Sequence, residues 1–325
     1  MPIVRWDGEC RGPAADGREA ELLRDWLVER GWTLDARPAW ALGGPRPARV
    51  HFGWGRGNPD LRMVTDAPAA GSGDVWSTLT VIPDAEMRAD LESRGVHAER
   101  LWELPYPVPD EFYDWSDMGP VFEVTRRHRL ESRPRIVASG DWQRGQALTR
   151  LLPAARRVLG QGGELVLLDS LAHRTRIAPA VAAAGLPEAV IFLPELSMSE
   201  LAGLFRSADL FCQLDVEQGY PVLMRWALAT GLPAVGVDHA LSRRASGRAF
   251  LAVDASRADA WPAAISSALT RDRLREEIMR RAAGVLDEAR LSRVGPLFEH
   301  LLSGIQGDGQ PSQRRSRPGR RKQPD

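Results

Sequence analysis

Short apolar runs alternate with amphipathic segments along most of this chain, and that alternation limits the possible folds more than any other feature. Residues 2–5 read as a strand, and residues 18–30 as a helix with Leu22, Leu23, Trp26, Leu27 and Val28 on one face. Gly31 suits a helix stop, and residues 32–34 read as a second strand. Residues 49–52, 61–65 and 76–82 give further strands between Gly, Pro and Asp turn signals, and residues 85–94 give a helix closed by Gly95. The proline-punctuated stretch 102–109 reads as a connector between domains. The alternation then resumes, with strands at 135–138, 164–169, 190–193, 210–214 and 234–237 and helices at 148–159, 177–184, 199–205 and 222–229. Ser197 is the expected cap of the 199–205 helix: its hydroxyl accepts an orphan backbone N–H, and Glu200 completes a capping box.

Strands separated by helices of this length need right-handed crossovers, hence parallel sheets with both faces covered. A length of 325 residues exceeds what one hydrophobic core usually serves. The expected architecture is α/β, with two doubly wound Rossmann-like lobes facing a cleft. An N-terminal lobe is expected over 1–115, a C-terminal lobe over 116–290, a closing helix over 291–304 that packs back toward the first lobe, and a tail over 305–325. Ligands of such sheets sit beyond the carboxyl ends of the strands.

The composition narrows the partners. Lysine plus arginine number 43 and aspartate plus glutamate 43, so the bulk field favours neither nucleic acid nor a strongly acidic partner. Cys10 and Cys212 lie far apart with no ligand cluster beside them, which argues against a disulfide framework or a structural zinc site and for a reducing, cytoplasmic setting. Cys212, in the run Leu210-Phe211-Cys212, reads as a small buried hydrophobe. Neither a secretory leader nor a membrane-spanning run is read in the sequence. From Gln306 onward the chain is expected to be disordered, and Arg314, Arg315, Arg317, Arg320, Arg321 and Lys322 make it basic. Such a tail suits weak contact with an anionic membrane, at its inner face, or with RNA, and equally a solubilising role.

One segment carries a family resemblance. Ser199, Glu200, Leu201, Phe205, Ala208 and Asp209, followed in order by Ala227, Leu228, Ala229, Gly231, Pro233 and Val235, resemble the donor-binding half of family 4 retaining glycosyltransferases. Residues 85–112 look like that family's passage from the acceptor lobe into the linker, and residues 254–300 like its closing helices. The resemblance implies a GT-B fold with the nucleotide-sugar site in the C-terminal lobe. It covers most of 85–303; over 1–84 it is weak, and the first lobe is short.

The same resemblance implies site residues and marks departures. The family has a Glu at the start of a loop and another eight residues on, the second holding the nucleotide ribose. Aligned on the helix, those places hold Gln218 and Trp226; shifted by one, Glu217 and Arg225. Of the family's Arg and Lys that neutralise the diphosphate, the first place holds Ser139, followed by Gly140, and the second holds Arg144, followed by Gly145. Arg144 is suited to bidentate bonds to phosphate oxygens. Gln218, Gly219 and Tyr220, with Pro221, open the 222–229 helix, and Gly219 lets the backbone approach a ligand closely.

The expected reaction is transfer of a sugar from a nucleoside-diphosphate sugar to an acceptor of unknown identity, with retention, no cofactor and no metal, since no Asp-x-Asp stands at a strand end. Glu217 is expected to face the transferred hexose, and His51 the sugar or acceptor from the first lobe, with Asp66 a weaker candidate. Trp142 suits either stacking on a sugar or base, or core packing. Two other readings stay open: a catalytically inactive GT-B-like binding or scaffold protein, and a nucleotide-sugar enzyme of another reaction type. Oligomeric state is undetermined at this level.

Overall fold

Strands that alternate inward and outward on both faces cannot be left half-solvated, and the second half of the chain shows how both faces are filled. In β7 (Arg135–Ser139), Ile136 and Ala138 point to one side of the sheet while Val137 lies between them. In β10 (Leu210–Gln213), Leu210 and Cys212 share the first side, and Phe211 serves the other. Helices therefore have to cover two surfaces. The computed structural model describes residues 3–7, 15–34, 48–52, 61–63, 79–142, 146–159, 162–214, 221–254, 257 and 260–308. The chain divides into two compact units, one formed by Met1–Gly8, Leu27–Leu104 and Pro296–Asp325, the other by Glu9–Trp26 and Pro105–Gly295.

The first unit carries a parallel sheet in the order β2-β1-β3-β4-β5-β6. Its strands are β1 (Ile3–Asp7), β2 (Thr33–Leu34), β3 (Ala48–Phe52), β4 (Leu61–Met63), β5 (Leu79–Ile82) and β6 (Leu101–Glu103). Helix α2 (Ala85–Ser93) begins where the Asp84 carboxylate accepts from Met87 N at 2.8 Å, and it buries Met87 and Leu91 with Ile82, Val96 and Leu101. Gly95, at φ +90°, closes it in the left-handed region that glycine enters freely. In α1 (Ala15–Glu29), Leu23 and Leu27 are buried one turn apart, whereas Val28, expected on the same face, is 49% exposed. One residue's rotation of 100° carries it off the stripe. Residues 101–103, read from sequence largely as connector, form the edge strand β6.

The second unit carries a parallel sheet in the order β12-β11-β10-β7-β8-β9. Besides β7 and β10 it holds β8 (Glu164–Leu167), β9 (Val190–Phe192), β11 (Ala234–Val237) and β12 (Leu251–Val253). Helices α4 (Gln146–Leu159), α5 (Arg174–Ala183) and α9 (Ala260–Thr270) supply Leu151, Leu159, Ile177, Trp261 and Ile265 to the core on the Cys212 side. On the other side, α6 (Met198–Ser207) and α7 (Val222–Ala229) bring aromatic rings together. Phe205 meets Phe211 edge-on at 5.4 Å, and Phe112 lies 5.2 Å from Trp226. Helices α8 (Ala240–Ser246), α10 (Asp272–Asp287) and α11 (Leu291–Asp308) complete the chain, and from Pro296 onward α11 counts with the first unit. There Glu299 accepts from the Trp32 indole at 3.0 Å. No described helix is long and apolar enough to cross a membrane, and the tail cations from Arg314 onward lie outside the described residues.

Two features hold the α6 side. The expected capping box is present: Ser197 Oγ accepts from Glu200 N at 3.3 Å, and Glu200 accepts from Ser197 N at 3.0 Å. Helix α3 (Gly119–His128), not anticipated from sequence, packs on α6 so closely that a Cβ at Gly203 would stand 2.4 Å from the Pro120 carbonyl oxygen. Only glycine permits that approach. Gly203→Ala is expected to lower unfolding free energy by about 1–3 kcal/mol in denaturant titrations, despite alanine's better helix propensity; an unchanged or higher midpoint would refute the tight-crossing account.

The capping box also sets a pH response. Bonds from the Ser197 N–H, and to a lesser degree its hydroxyl and the Arg127 and His128 charges, hold the Glu200 carboxyl below its ordinary value of 4.5. The folded chain thus binds this proton less readily than the unfolded chain. The stability gained is complete above pH 4.5 and is lost as pH falls below it. Glu200→Gln should therefore be less stable than wild type at pH 7, with the gap narrowing as pH falls below 4.5 in denaturant titrations. A gap of constant size would show that the carboxylate charge is not what the box uses.

Candidate functional site

The second sheet reverses direction between β7 and β10. From β7 the chain lays β8 and β9 to one side, then returns to place β10, β11 and β12 on the other. At such a reversal the two loops leaving the carboxyl ends diverge to opposite faces and leave a crevice for a ligand. Here the two strand ends are in register, Ser139 against Gln213, and Leu214 N donates to Ser139 O at 2.9 Å. The loop entering α4 and the loop entering α7 therefore start side by side. These are the two loops that the sequence marked, 139–145 and 217–220.

Ser139 and Gly140 lie half-buried at the mouth of this reversal. Arg144, Gly145, Glu217, Gln218, Gly219 and Tyr220 lie outside the described residues, as does Asp66. Their anchors are described: Trp142 and Gln146 bracket the first loop, Leu214 and Pro221 the second. Trp142 is buried at 4% exposure, and its indole N–H donates to Leu168 O at 2.6 Å. That settles the two roles considered for it. The ring packs in the core and clips the turn after β7 to the turn after β8, so it is not a platform for a ligand. Asp141 and Gln213, buried polar residues at the same strand ends, were not singled out from sequence. Neither belongs to a recognisable motif, and their burial is what reveals them.

The two places considered for the second carboxylate are engaged inside the unit. Trp226 is fully buried, donates to Pro107 O at 3.4 Å and packs on Phe112. Arg225, also buried, donates to Ala245 O at 3.4 Å. In neither alignment does an acid stand there. Cys212 is fully buried, and burial pushes its thiol well above its ordinary range, as expected of a core residue with no nucleophilic role. Among the described residues no group of three His, Cys, Asp or Glu side chains is arranged to hold a metal.

His51 belongs to the first unit. Its backbone pairs with Asp7 on β1 and Arg62 on β4, and the order of that sheet reverses between β1 and β3. It thus sits next to the end of β3, at the corresponding reversal of its own sheet.

Comparison with known proteins agrees with this geometry. Residues 123–284 match the family model described as glycosyl transferases group 1. Among solved structures, WaaG, a glycosyltransferase involved in lipopolysaccharide biosynthesis, is 14% identical with a TM-score of 0.68, over 94% of this chain and 100% of that one. Sucrose-phosphate synthase from Thermosynechococcus elongatus is 13% identical with a TM-score of 0.69, over 94% and 99%. Anabaena HepE, solved with UDP-glucose, is 11% identical with a TM-score of 0.66, over 94% and 100%. Among curated protein sequences there is no match. The fold of the chain is GT-B, and its stretch 123–284 matches the glycosyl transferases group 1 model.

Proposed function

We propose that the chain transfers a sugar from a nucleoside-diphosphate sugar to an acceptor, with retention and without a metal ion, and that the diphosphate binds between the loops leaving β7 and β10. The observation that carries this reading is the register of Ser139 with Gln213, which starts both marked loops at the reversal of a sheet within the stretch that matches the glycosyl transferases group 1 model. A neighbour of the same fold, HepE, binds UDP-glucose, which supports a nucleotide sugar as the donor class.

The chemistry needs negative charge stabilised on the departing diphosphate. Preformed N–H donors and a cation do this in a water-poor site without reorganising during the reaction. Arg144 would supply the cation, and the backbone amides ahead of α7 would supply the donors, Gly219 permitting close approach. Glu217 would accept hydroxyl hydrogens of the hexose, and His51 would act from the first unit on sugar or acceptor. The second reading, a donor-binding protein without catalysis, is favoured by one observation: both places for the second carboxylate hold interior side chains, Arg225 and Trp226.

Thermal denaturation with UDP-, GDP-, ADP- and TDP-sugars tests both. One donor should raise the midpoint, because a ligand bound only to the folded state adds about 2.7 kcal/mol at a hundred times its Kd. Arg144→Ala should weaken that donor about tenfold to a hundredfold, the worth of a charge-assisted bond to phosphate. Glu217→Gln should lower turnover more than affinity. A donor that binds but is neither transferred nor hydrolysed selects the second reading; no shift with any donor removes both.

A further inference from the structure

The large apolar side chains left exposed are unevenly distributed. Of six such residues among those described, Trp115, Met118 and Phe122 fall in the short segment that opens α3, and Phe122 is 70% exposed. Helix α3 turns Val124 inward against α6, and two residues' rotation places Phe122 on the opposite face. Met118 lies one turn before Phe122 on that face, and Arg126 lies one turn after it.

The charge along this face is ordered. At its start, the Asp117 carboxylate accepts from Gly119 N at 2.8 Å and lies 3.0 Å from where a Gly119 Cβ would stand, which fixes the anion on the Phe122 side. At its end, Arg126 is exposed and forms no ion pair among the described residues, whereas the neighbouring Arg127 is engaged by Glu200. The face is thus anionic, then apolar, then cationic. Arg126 follows Phe122 by roughly 6 Å along the axis, at 1.5 Å per residue, and Asp117 stands just ahead of the first turn.

We propose that this face is a contact between two copies of the chain, laid antiparallel about a two-fold axis that passes at Phe122. An isologous contact brings residue i to j and j to i, so each Asp117 meets the other copy's Arg126 while the Phe122 rings close on each other. The same axis satisfies the apolar and the charged pairs, which is the self-complementarity that such an interface requires. An anionic lipid surface fits less well, because Asp114, Asp117 and Glu123 stand among the aromatic residues and would be driven against headgroups of the same sign.

Sedimentation velocity of the full chain over a micromolar concentration series tests the contact. A monomer–dimer equilibrium is expected, weakened about tenfold or more by Phe122→Ser, which alters an exposed side chain and should leave the circular dichroism spectrum of the folded chain unchanged. Arg126→Glu and Asp117→Lys should each weaken self-association, and an equimolar mixture of the two should recover the dimer, since one carries acids at both places and the other bases. A chain that stays monomeric throughout overturns the proposal. So does a dimer indifferent to Phe122→Ser and Arg126→Glu, or a monomer that binds phosphatidylserine vesicles through Phe122. None of these readouts involves a donor, so their failure leaves the transferase reading intact.

Discussion

The second unit depends on a constraint at the amino ends of β7 and β8, where a buried ion pair seals the sheet. The seal is the buried pair Arg135 and Glu164, which face each other in register on β7 and β8. Neither charge is left unsatisfied. Arg135 donates to Ser207 O and Leu130 O at 2.8 Å each, while Glu164 accepts from the backbone N–H groups of Glu131 and Ser132 at 3.2 and 3.1 Å. Asp209 takes the Arg135 backbone N–H at 2.8 Å and the Arg133 side chain at 2.7 Å. A buried pair of this kind is weak evidence of net stability, but losing either partner would strand a charge. It therefore fixes the entry to β7 and the exit from α6 together. At the other end of these strands, α4 follows β7 and α7 follows β10.

Local rules in the sequence were read correctly where the physics is local. The Ser197 capping box and the bounds of α7 at Val222 and Ala229 depend on neighbours within a few residues, and both stand as expected. Helix α3 was missed because its reason lies elsewhere in the chain. It buries only Val124 within its own span and rests on the absence of a side chain at Gly203. The Arg135–Glu164 pair was missed for the same cause: nothing near either residue announces a partner 29 positions away. Most of strand β6 was read as connector because it is three residues long and runs into the proline-punctuated stretch that begins at Pro105.

The candidate site shows the same division. Motif spacing marked two loops, and the sheet topology starts them from adjacent strands. What spacing could not show is the environment of single side chains. Trp142 was equally consistent with a stacking platform and with core, and only its bond to Leu168 O separates the two. Asp141 and Gln213 gave no signal at all, since a buried polar residue is identified by where it sits and not by its neighbours in sequence.

Position 226 shows why the missing carboxylate is not an isolated change. Trp226 lies against Phe112, which itself packs 6.1 Å from Phe205, and its indole bonds to Pro107 O. The segment that carries Pro107 and Phe112 is held in turn by α10 and the start of α11. Val108 N donates to Ala289 O at 2.7 Å, Leu291 N to Val108 O at 2.9 Å, and the Tyr113 hydroxyl to Leu286 O at 2.6 Å. An ionised acid substituted at 226 would be desolvated among aromatic rings and would leave the volume of an indole unfilled, two separate costs. The surroundings are built for a tryptophan. A ribose anchor at this place would require the 107–113 segment to be packed differently.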